Sequence, residues 1–230
     1  MDLPPFTEPT THYWQEILPA GETIPPPWKF GVPARLPDSR ILMLPIRPLH
    51  HAGQDAVASL LVNQAALAVV NELGRFLAER VGPFQPEVIV GLPTLGLTLA
   101  PIVAESLGLK RYVPLGYSRK FWYDERLSAE VSSITSPGLV KRVYLDPNQL
   151  PLLYGRRIVI IDDAVSSGNT LKAIWDLLER LGCDIRACGV VMKQGAKWMN
   201  VLGPERTSKL VYVLESPLLR VVQGGWDIRT

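Results

Sequence analysis

A run of apolar residues that ends in two acids is the feature that most restricts the fold of this 230-residue chain. The run is Ile158-Val159-Ile160-Ile161, and Asp162 and Asp163 follow directly. β-favouring apolar residues in succession predict a strand over residues 156–161. The next residues are small, and leucine and isoleucine then recur at helical spacing over residues 170–181 until Gly182. The segment therefore predicts a strand, a tight loop and a helix, with both acids at the carboxyl end of the strand.

The rest of the chain alternates in the same way. Helical spacing of apolar residues predicts a long helix over 55–81 and a second over 97–107, with Pro101 in or near its first turn. Further strands are predicted at 42–46, 88–90, 112–115, 140–145, 187–192 and 210–214. Strands that alternate with helices predict an α/β fold with a parallel sheet and right-handed crossovers.

Composition excludes several classes of protein. Apolar residues make up 47% and charged residues 20%, so a sizeable core is expected. The net charge of +2, without a basic stripe, argues against a nucleic-acid or membrane-surface binder. Cys183 and Cys188 form neither a zinc pattern nor a disulfide framework. With no signal-peptide pattern and no uncharged run long enough to span a membrane, we expect a soluble cytoplasmic protein.

The strand, loop and helix around the two acids indicate the kind of ligand that this part of the chain binds. Ligands of open α/β sheets bind at the carboxyl edge of the strands. Backbone N–H groups of a small-residue loop at a helix N-terminus bind anions, and Ser166, Ser167 and Thr170 add hydroxyl donors. Two carboxylates beside an anion site are expected to hold hydroxyl groups or a metal, so a sugar phosphate fits. A metal-binding acid pair of a nucleotide hydrolase or a receiver domain is the alternative; no G-x-x-x-x-G-K-[ST] loop supports a hydrolase.

Residues 158–170 resemble the 5-phosphoribosyl-1-pyrophosphate (PRPP) motif of type I phosphoribosyltransferases. The resemblance implies a mainly parallel sheet flanked by helices, with a hood built from the N- and C-terminal segments. It implies that Asp162 and Asp163 bind the ribose 2′- and 3′-hydroxyls. It also implies a Mg²⁺ ion bound through PRPP, for which these two acids are candidate ligands. The residues that it assigns to PRPP in this motif are Ala164, Val165, Ser166, Ser167, Gly168, Asn169 and Thr170.

Two further segments resemble the same family. The turn after residue 90 is similar to its pyrophosphate loop, which would assign Pro93, Thr94, Leu95 and Gly96 to the diphosphate and its Mg²⁺. Residues 118–139 are long for a loop in a compact domain, which is usually a functional feature. In the family such a loop closes over PRPP, and Arg119-Lys120 resembles an Arg-Lys pair of adenine enzymes that faces the pyrophosphate. A solvent-exposed charge pair is the alternative for Arg119 and Lys120, and Tyr123 is a further candidate to cap the site.

The resemblance restricts the acceptor base. Hypoxanthine and guanine enzymes normally carry a third aspartate where this chain has Ser166, so it looks more like the adenine and xanthine enzymes. Candidate base contacts are Asn63, Lys193 and Trp198, with Lys197 as a further possibility. For these side chains, packing within the hood is the alternative to contact with the base. The proline-rich residues 1–40 match nothing in the compact enzymes, although their aromatic residues indicate that the segment packs against the rest of the chain.

The resemblance implies Mg²⁺-dependent transfer of the phosphoribosyl group from PRPP to a purine base, with Arg119, Lys120 and loop amides neutralising the leaving pyrophosphate. The alternative is a regulator that senses PRPP without turnover. We expect one globular unit in which residues 1–50 form a proline-rich segment and part of the hood, 51–192 the core, and 193–230 a strand and the rest of the hood. A homodimer, with no nucleic-acid or membrane partner, is expected from the resemblance.

Overall fold

The structure is a computed structural model that describes residues 12–49, 54–131 and 141–229. Strands and helices alternate through most of this length, as the apolar periodicity predicted. The strands are β1 (Gly31–Arg35), β2 (Ile41–Pro48), β3 (Asp55–Ala58), β4 (Val88–Gly91), β5 (Val113–Pro114), β6 (Ser128–Val131), β7 (Lys141–Tyr144), β8 (Arg157–Val165), β9 (Asp184–Gln194), β10 (Leu210–Ser216), β11 (Leu218–Val222) and β12 (Gly225–Ile228). The helices are α1 (Leu67–Val81), α2 (Gly96–Ser106), α3 (Leu150–Leu153), α4 (Asn169–Arg180) and α5 (Lys197–Ser208).

The core sheet has five parallel strands in the order β10-β9-β8-β4-β5. Its central strand β8 is buried on both faces. Val159 and Ile161 pack in a cluster with α1 and α2, whereas Ile158 and Ile160 pack in a second cluster with α4. Helices on both faces explain why this strand reads as a continuous apolar run.

A second sheet, the hood sheet, is antiparallel and has the order β1-β2-β3-β11-β12. Its first three strands come from the N-terminal part of the chain and its last two from the C-terminal part, in agreement with the expected hood. The hood strands share one hydrophobic cluster with α1, α2 and the near face of the core sheet. The two sheets are therefore parts of one packed body.

The aromatic residues of the proline-rich segment anchor it to the hood. Trp14 is 1% exposed, and its indole N–H donates to the carbonyl of Ser59 at 3.2 Å. Trp28 is also buried and exchanges two backbone hydrogen bonds with Trp226 of β12. The expectation that this segment packs against the chain is confirmed for its described part.

Three expectations about the elements were wrong. The long helix begins at Leu67 and not at residue 55, because residues 55–58 form β3, where Ala56 and Ala58 are buried and the strand pairs with β2 and β11. Pro101 is the sixth residue of α2 and lies beyond its first turn. Strand β8 continues through both acids to Val165 instead of ending at residue 161.

The segment predicted as a long loop contains a strand. Its residues 128–131 form β6, which pairs antiparallel with β7, while residues 132–140 lie outside the described part of the chain. Sequence patterns also missed β1, β12, α3 and α5, a helix interrupted at Gly203. Among the described residues, no helix is long and apolar enough to cross a membrane.

Candidate functional site

The two acids lie where the core sheet opens. Strand β4 pairs with β8 only as far as Gly91 opposite Ile161, whereas β9 continues alongside β8 to Lys193 opposite Val165. Asp162 and Asp163 therefore have a strand on one side only. On the open side the chain leaves β4 at Leu92, whose N–H donates to the carbonyl of Ile161 at 2.9 Å. A gap of this kind at the carboxyl edge of a parallel sheet is the usual place for a ligand.

Both acids have raised pKa values. Burial, followed by the charge of Asp163, raises the pKa of Asp162 well above its ordinary value. Burial raises the pKa of Asp163 to about 6. Backbone N–H donors oppose these shifts, among them the N–H of Asp163, which is 2.9 Å from Oδ1 of Asp162. The two side chains also hydrogen-bond each other, so the open edge presents a coupled pair of carboxyl groups to a ligand.

Residues 166–170, the loop predicted to bind the 5′-phosphate and termed the phosphate loop, lead from β8 into α4. Gly168 precedes the helix with φ +83°, a conformation that glycine adopts without strain. A Cβ at Gly168 would also lie 3.0 Å from Cα of Trp198, so two independent constraints require glycine there. The N–H of Asn169 points to the hydroxyl oxygen of Ser167 at 3.4 Å. The first turn of α4 carries no acidic residue, which leaves its N-terminus suited to an anion.

Residues 93–96, the loop predicted to bind the diphosphate and termed the diphosphate loop, lead from β4 into α2 and contact Asp162 directly. A Cβ at Gly96 would lie 2.5 Å from the carbonyl oxygen of Ile161 and 2.9 Å from Cα of Asp162. The backbone of Gly96 also hydrogen-bonds the Asp162 carboxylate. The Pro93–Thr94 peptide bond is cis. The N-terminus of α2 and that of α4 thus flank one pair of acids.

Tyr117 was missed by the sequence analysis. Its hydroxyl donates to the carbonyl of Pro93 at 3.1 Å, and its pKa is raised by burial and then by the charges of Asp162 and Asp163. The ammonium of Lys141 lies 5.3 Å from the centre of the Tyr117 ring. The signal available in the sequence was its place just after a short strand of the same sheet.

Arg119 and Lys120 lie on the protein surface. Arg119 pairs with Glu125 at 3.0 Å, and Glu125 also approaches Arg142 at 3.8 Å. The side chain of Lys120 is exposed. Tyr123 packs against Tyr144, with ring centres 6.0 Å apart. In this structure the basic pair therefore belongs to a charged surface beside the β6–β7 hairpin.

The three residues predicted to contact a base occupy different surroundings. Asn63 is exposed in a 3₁₀ turn, Val62–Gln64. Lys193 pairs with Glu215 at 3.1 Å and lies 4.3 Å from the centre of the Tyr212 ring. Trp198 is 5% exposed, and its indole N–H donates to the carbonyl of Gly195 at 2.9 Å. Trp198 also lies against the phosphate loop, since a Cβ at Gly168 would be 3.0 Å from its Cα, whereas both side-chain contacts of Lys193 described above are with β10.

Gln194, the last residue of β9, was also missed. It is 7% exposed and its side chain reaches three elements. Its amide nitrogen donates to the carbonyl of Ala58 in the hood at 2.9 Å and to the hydroxyl of Ser216 at 3.4 Å. Its amide oxygen accepts from the hydroxyl of Ser166 at 3.3 Å. A polar residue at the carboxyl end of an apolar strand was the available signal.

The site suits Mg²⁺ held largely by a ligand. The described residues contain no cluster of three or more metal-ligating side chains, but Asp162 and Asp163 supply carboxylate oxygens at the open edge. One or two carboxylates combined with substrate phosphate oxygens are the usual surroundings of Mg²⁺ in such sites. The two carboxylates therefore fit a Mg²⁺ ion that is bound together with a phosphate-bearing ligand.

Comparisons with known proteins agree with this geometry. A hypoxanthine/guanine phosphoribosyltransferase of Methanobrevibacter ruminantium is 31% identical over 127 residues, which cover 55% of this chain and 63% of the relative. A xanthine phosphoribosyltransferase of Deinococcus deserti is 29% identical over 178 residues, covering 74% and 89%. A solved adenine phosphoribosyltransferase of Giardia lamblia, in complex with 9-deazaadenine, shares the fold with a TM-score of 0.59 at 18% identity, over 75% of this chain and 93% of that one.

The chain spans less than two thirds of the length of the Methanobrevibacter relative. The family model for the phosphoribosyl transferase domain matches residues 56–213, which include the acids, both loops and the strands that position them. The chain belongs to the phosphoribosyl transferase domain family.

Proposed function

We propose that this protein transfers the phosphoribosyl group from PRPP to a purine base and releases pyrophosphate. The observation that carries the proposal is the meeting of three elements at one edge of the sheet. Two acids with raised pKa values lie on β8 between the N-termini of α2 and α4. At each N-terminus a glycine, Gly96 or Gly168, permits a close approach of the backbone. A sugar bearing a phosphate at one end and a diphosphate at the other has hydroxyls between two anions, and the site offers acceptors between two anion-binding termini.

Each part of PRPP is bound by a different set of residues. Asp162 and Asp163 accept hydrogen bonds from the two ribose hydroxyls. The backbone N–H groups of the phosphate loop, from Ser166 to Thr170 and adjoining Ala164 and Val165, bind the 5′-phosphate. The loop of Pro93, Thr94, Leu95 and Gly96 binds the diphosphate, and Tyr117 fixes that loop through the Pro93 carbonyl.

In the reaction a ring nitrogen of the base forms a bond to C1 of the ribose while the bond from C1 to the diphosphate oxygen breaks. The electron pair of that bond leaves with the pyrophosphate, and the proton of the attacking nitrogen is released. Bound with the diphosphate, Mg²⁺ supplies charge neutralisation of the leaving group. Loop amides, Arg119 and Lys120 add to that neutralisation, and the acids hold the ribose as positive charge develops at C1.

We further propose an adenine- or xanthine-type acceptor, because Ser166 occupies the position at which a third acid would be expected in a hypoxanthine or guanine enzyme. Because the residue is a serine, this position offers a base no carboxylate. The hydroxyl of Ser166 donates to Gln194. The base would bind between the hood sheet and the core, where Asn63, Lys193 and Trp198 are the candidate contacts. We retain 1–50 as part of the hood, 51–192 as the core and 193–230 as a core strand followed by the rest of the hood, with β3 of the core range joining the hood sheet. A cytoplasmic homodimer is the proposed working form.

The test is pyrophosphate release from PRPP and Mg²⁺ with adenine, xanthine, guanine, hypoxanthine, uracil and orotate offered singly. Turnover with adenine or xanthine supports the proposal and names the acceptor. PRPP binding without release of pyrophosphate from any base would replace the enzyme with a PRPP sensor. Absence of PRPP binding would overturn the whole assignment.

A further inference from the structure

We propose that Gln194 is a positioning residue that fixes the phosphate loop through Ser166 and thereby sets the affinity for PRPP. The inference rests on the proposed function, since it concerns the loop that would hold the 5′-phosphate. Gln194 lies where the ladder between β8 and β9 ends: the last backbone pair joins Val165 to Lys193, and the side chains of the next two residues continue the contact.

The orientation of the Gln194 amide follows from its partners. The carbonyl of Ala58 has no hydrogen to give, so the amide nitrogen must face it. The amide oxygen therefore faces Ser166, and the hydrogen of that bond comes from the serine hydroxyl. Because this donation uses the one hydrogen of the hydroxyl, Ser166 serves as an anchor of the loop and offers its backbone N–H to the phosphate.

The same amide also anchors the loop to the rest of the molecule. Ser216, 1% exposed, pairs with Gln194 across the β9–β10 ladder and accepts from its amide nitrogen. The Ala58 carbonyl belongs to β3 of the hood sheet. One buried side chain thus holds the first residue of the phosphate loop against both sheets, and a buried polar group with all its partners satisfied favours one arrangement.

The experiment is a double-mutant cycle on the affinity for PRPP with Mg²⁺, measured by calorimetry. Gln194→Leu and Ser166→Ala are each expected to weaken binding about tenfold, the scale of one hydrogen bond. The double variant is expected to lie within about twofold of either single variant, because both changes break the same contact. Ser216→Ala, which removes a contact of the same amide away from the loop, is expected to keep the affinity within about twofold.

Losses that multiply in the double variant to about a hundredfold, or unchanged affinity in Gln194→Leu, would overturn the role of Gln194 while leaving the proposed function intact. Failure of the unaltered protein to bind PRPP would instead remove the proposed function, and this inference with it. If Gln194→Leu does not fold, Gln194→Asn takes its place. Its side chain is one methylene shorter and cannot reach Ala58 and Ser166 together, so the same loss and the same non-additivity are expected.

Discussion

At the scale of single residues, the site consists of groups that the fold holds at a cost to stability. Asp162 and Asp163 are adjacent and partly buried, and both have raised pKa values. Such a pair destabilises the ligand-free protein at neutral pH, because the unfolded chain releases these protons more readily. A ligand that brings hydroxyl donors and a metal relieves that cost, which is a reason for such acids to be found at a binding site.

This cost makes a prediction about Asp163→Asn. In the parent protein the pKa of Asp163 is raised from 3.8 to about 6 on folding. Protonation of Asp163 therefore favours the folded state, and stability declines as pH rises through this interval. The variant should therefore be more stable than the parent at pH 7.5 to 8, by on the order of 1 kcal/mol, and the gain should shrink as pH falls toward 4. Its turnover should fall more than tenfold while its fold is kept.

Thermal unfolding across pH, together with pyrophosphate release, measures both effects. Asp184→Asn, which alters an exposed acid at the start of β9, is the matched control and should show no pH-dependent gain. Turnover near that of the parent in Asp163→Asn would contradict the assigned role.

Gly96 carries a second prediction at this scale. A methyl group there would meet the carbonyl oxygen of Ile161 at 2.5 Å, and backbone cannot move aside as a flexible side chain does. Gly96→Ala is therefore expected to lower the free energy of unfolding by about 2 kcal/mol and to abolish measurable PRPP binding. Gly116→Ala is the control, since a Cβ at Gly116 would meet no atom within 4 Å. Urea denaturation and calorimetry test both variants, and equal behaviour of the two would contradict the close approach.

At the scale of elements, the proposed leaving-group cations lie in the exposed segment that precedes β6. Arg119 is paired with Glu125 here, and its side chain is 57% exposed. Exposed pairs of this kind contribute little to stability, so Arg119 is easily recruited by a diphosphate.

We therefore predict that Arg119→Ala and Lys120→Ala each lower kcat at least tenfold while leaving the unfolding temperature unchanged. Arg126→Ala is the matched control, because Arg126 is a more exposed arginine of the same segment, paired with Asp124. Steady-state kinetics at saturating PRPP decide the outcome. If all three variants lose the same activity, the effect is one of overall charge and not of position.

The elements also show how far the sequence predicts this molecule. Continuous apolar runs predicted the core strands, and the acids with the small loop predicted the edge at which the loops meet. The hood was harder, since Asp55–Ala58 shares helical spacing with α1 and is a strand only because β2 and β11 pair with it. Gln194 and Tyr117 were missed for a similar reason: each acts through a partner distant in sequence, Ala58 and Pro93 respectively.

At the scale of the whole molecule, the two sheets are joined by packing more than by any one contact. The cluster that contains Trp14, Trp28 and the hood strands also contains residues of α1, α2 and the core strands. A shared core of this kind makes it costly to unfold either sheet alone, because doing so exposes apolar surface of the other.

We therefore predict that the hood and core sheets unfold in one cooperative transition. Hydrogen exchange with mass spectrometry, followed through a urea titration, compares peptides of β2 and β11 with peptides of β8 and β9; their midpoints should coincide. PRPP with Mg²⁺ at about a hundred times its dissociation constant should raise the free energy of unfolding of both sheets together, by about 2.7 kcal/mol. Hood peptides that open at a lower urea concentration would contradict the shared core. A ligand shift confined to β8 and β9 would show that the phosphate loop is not coupled to the hood, although Gln194 reaches the carbonyl of Ala58.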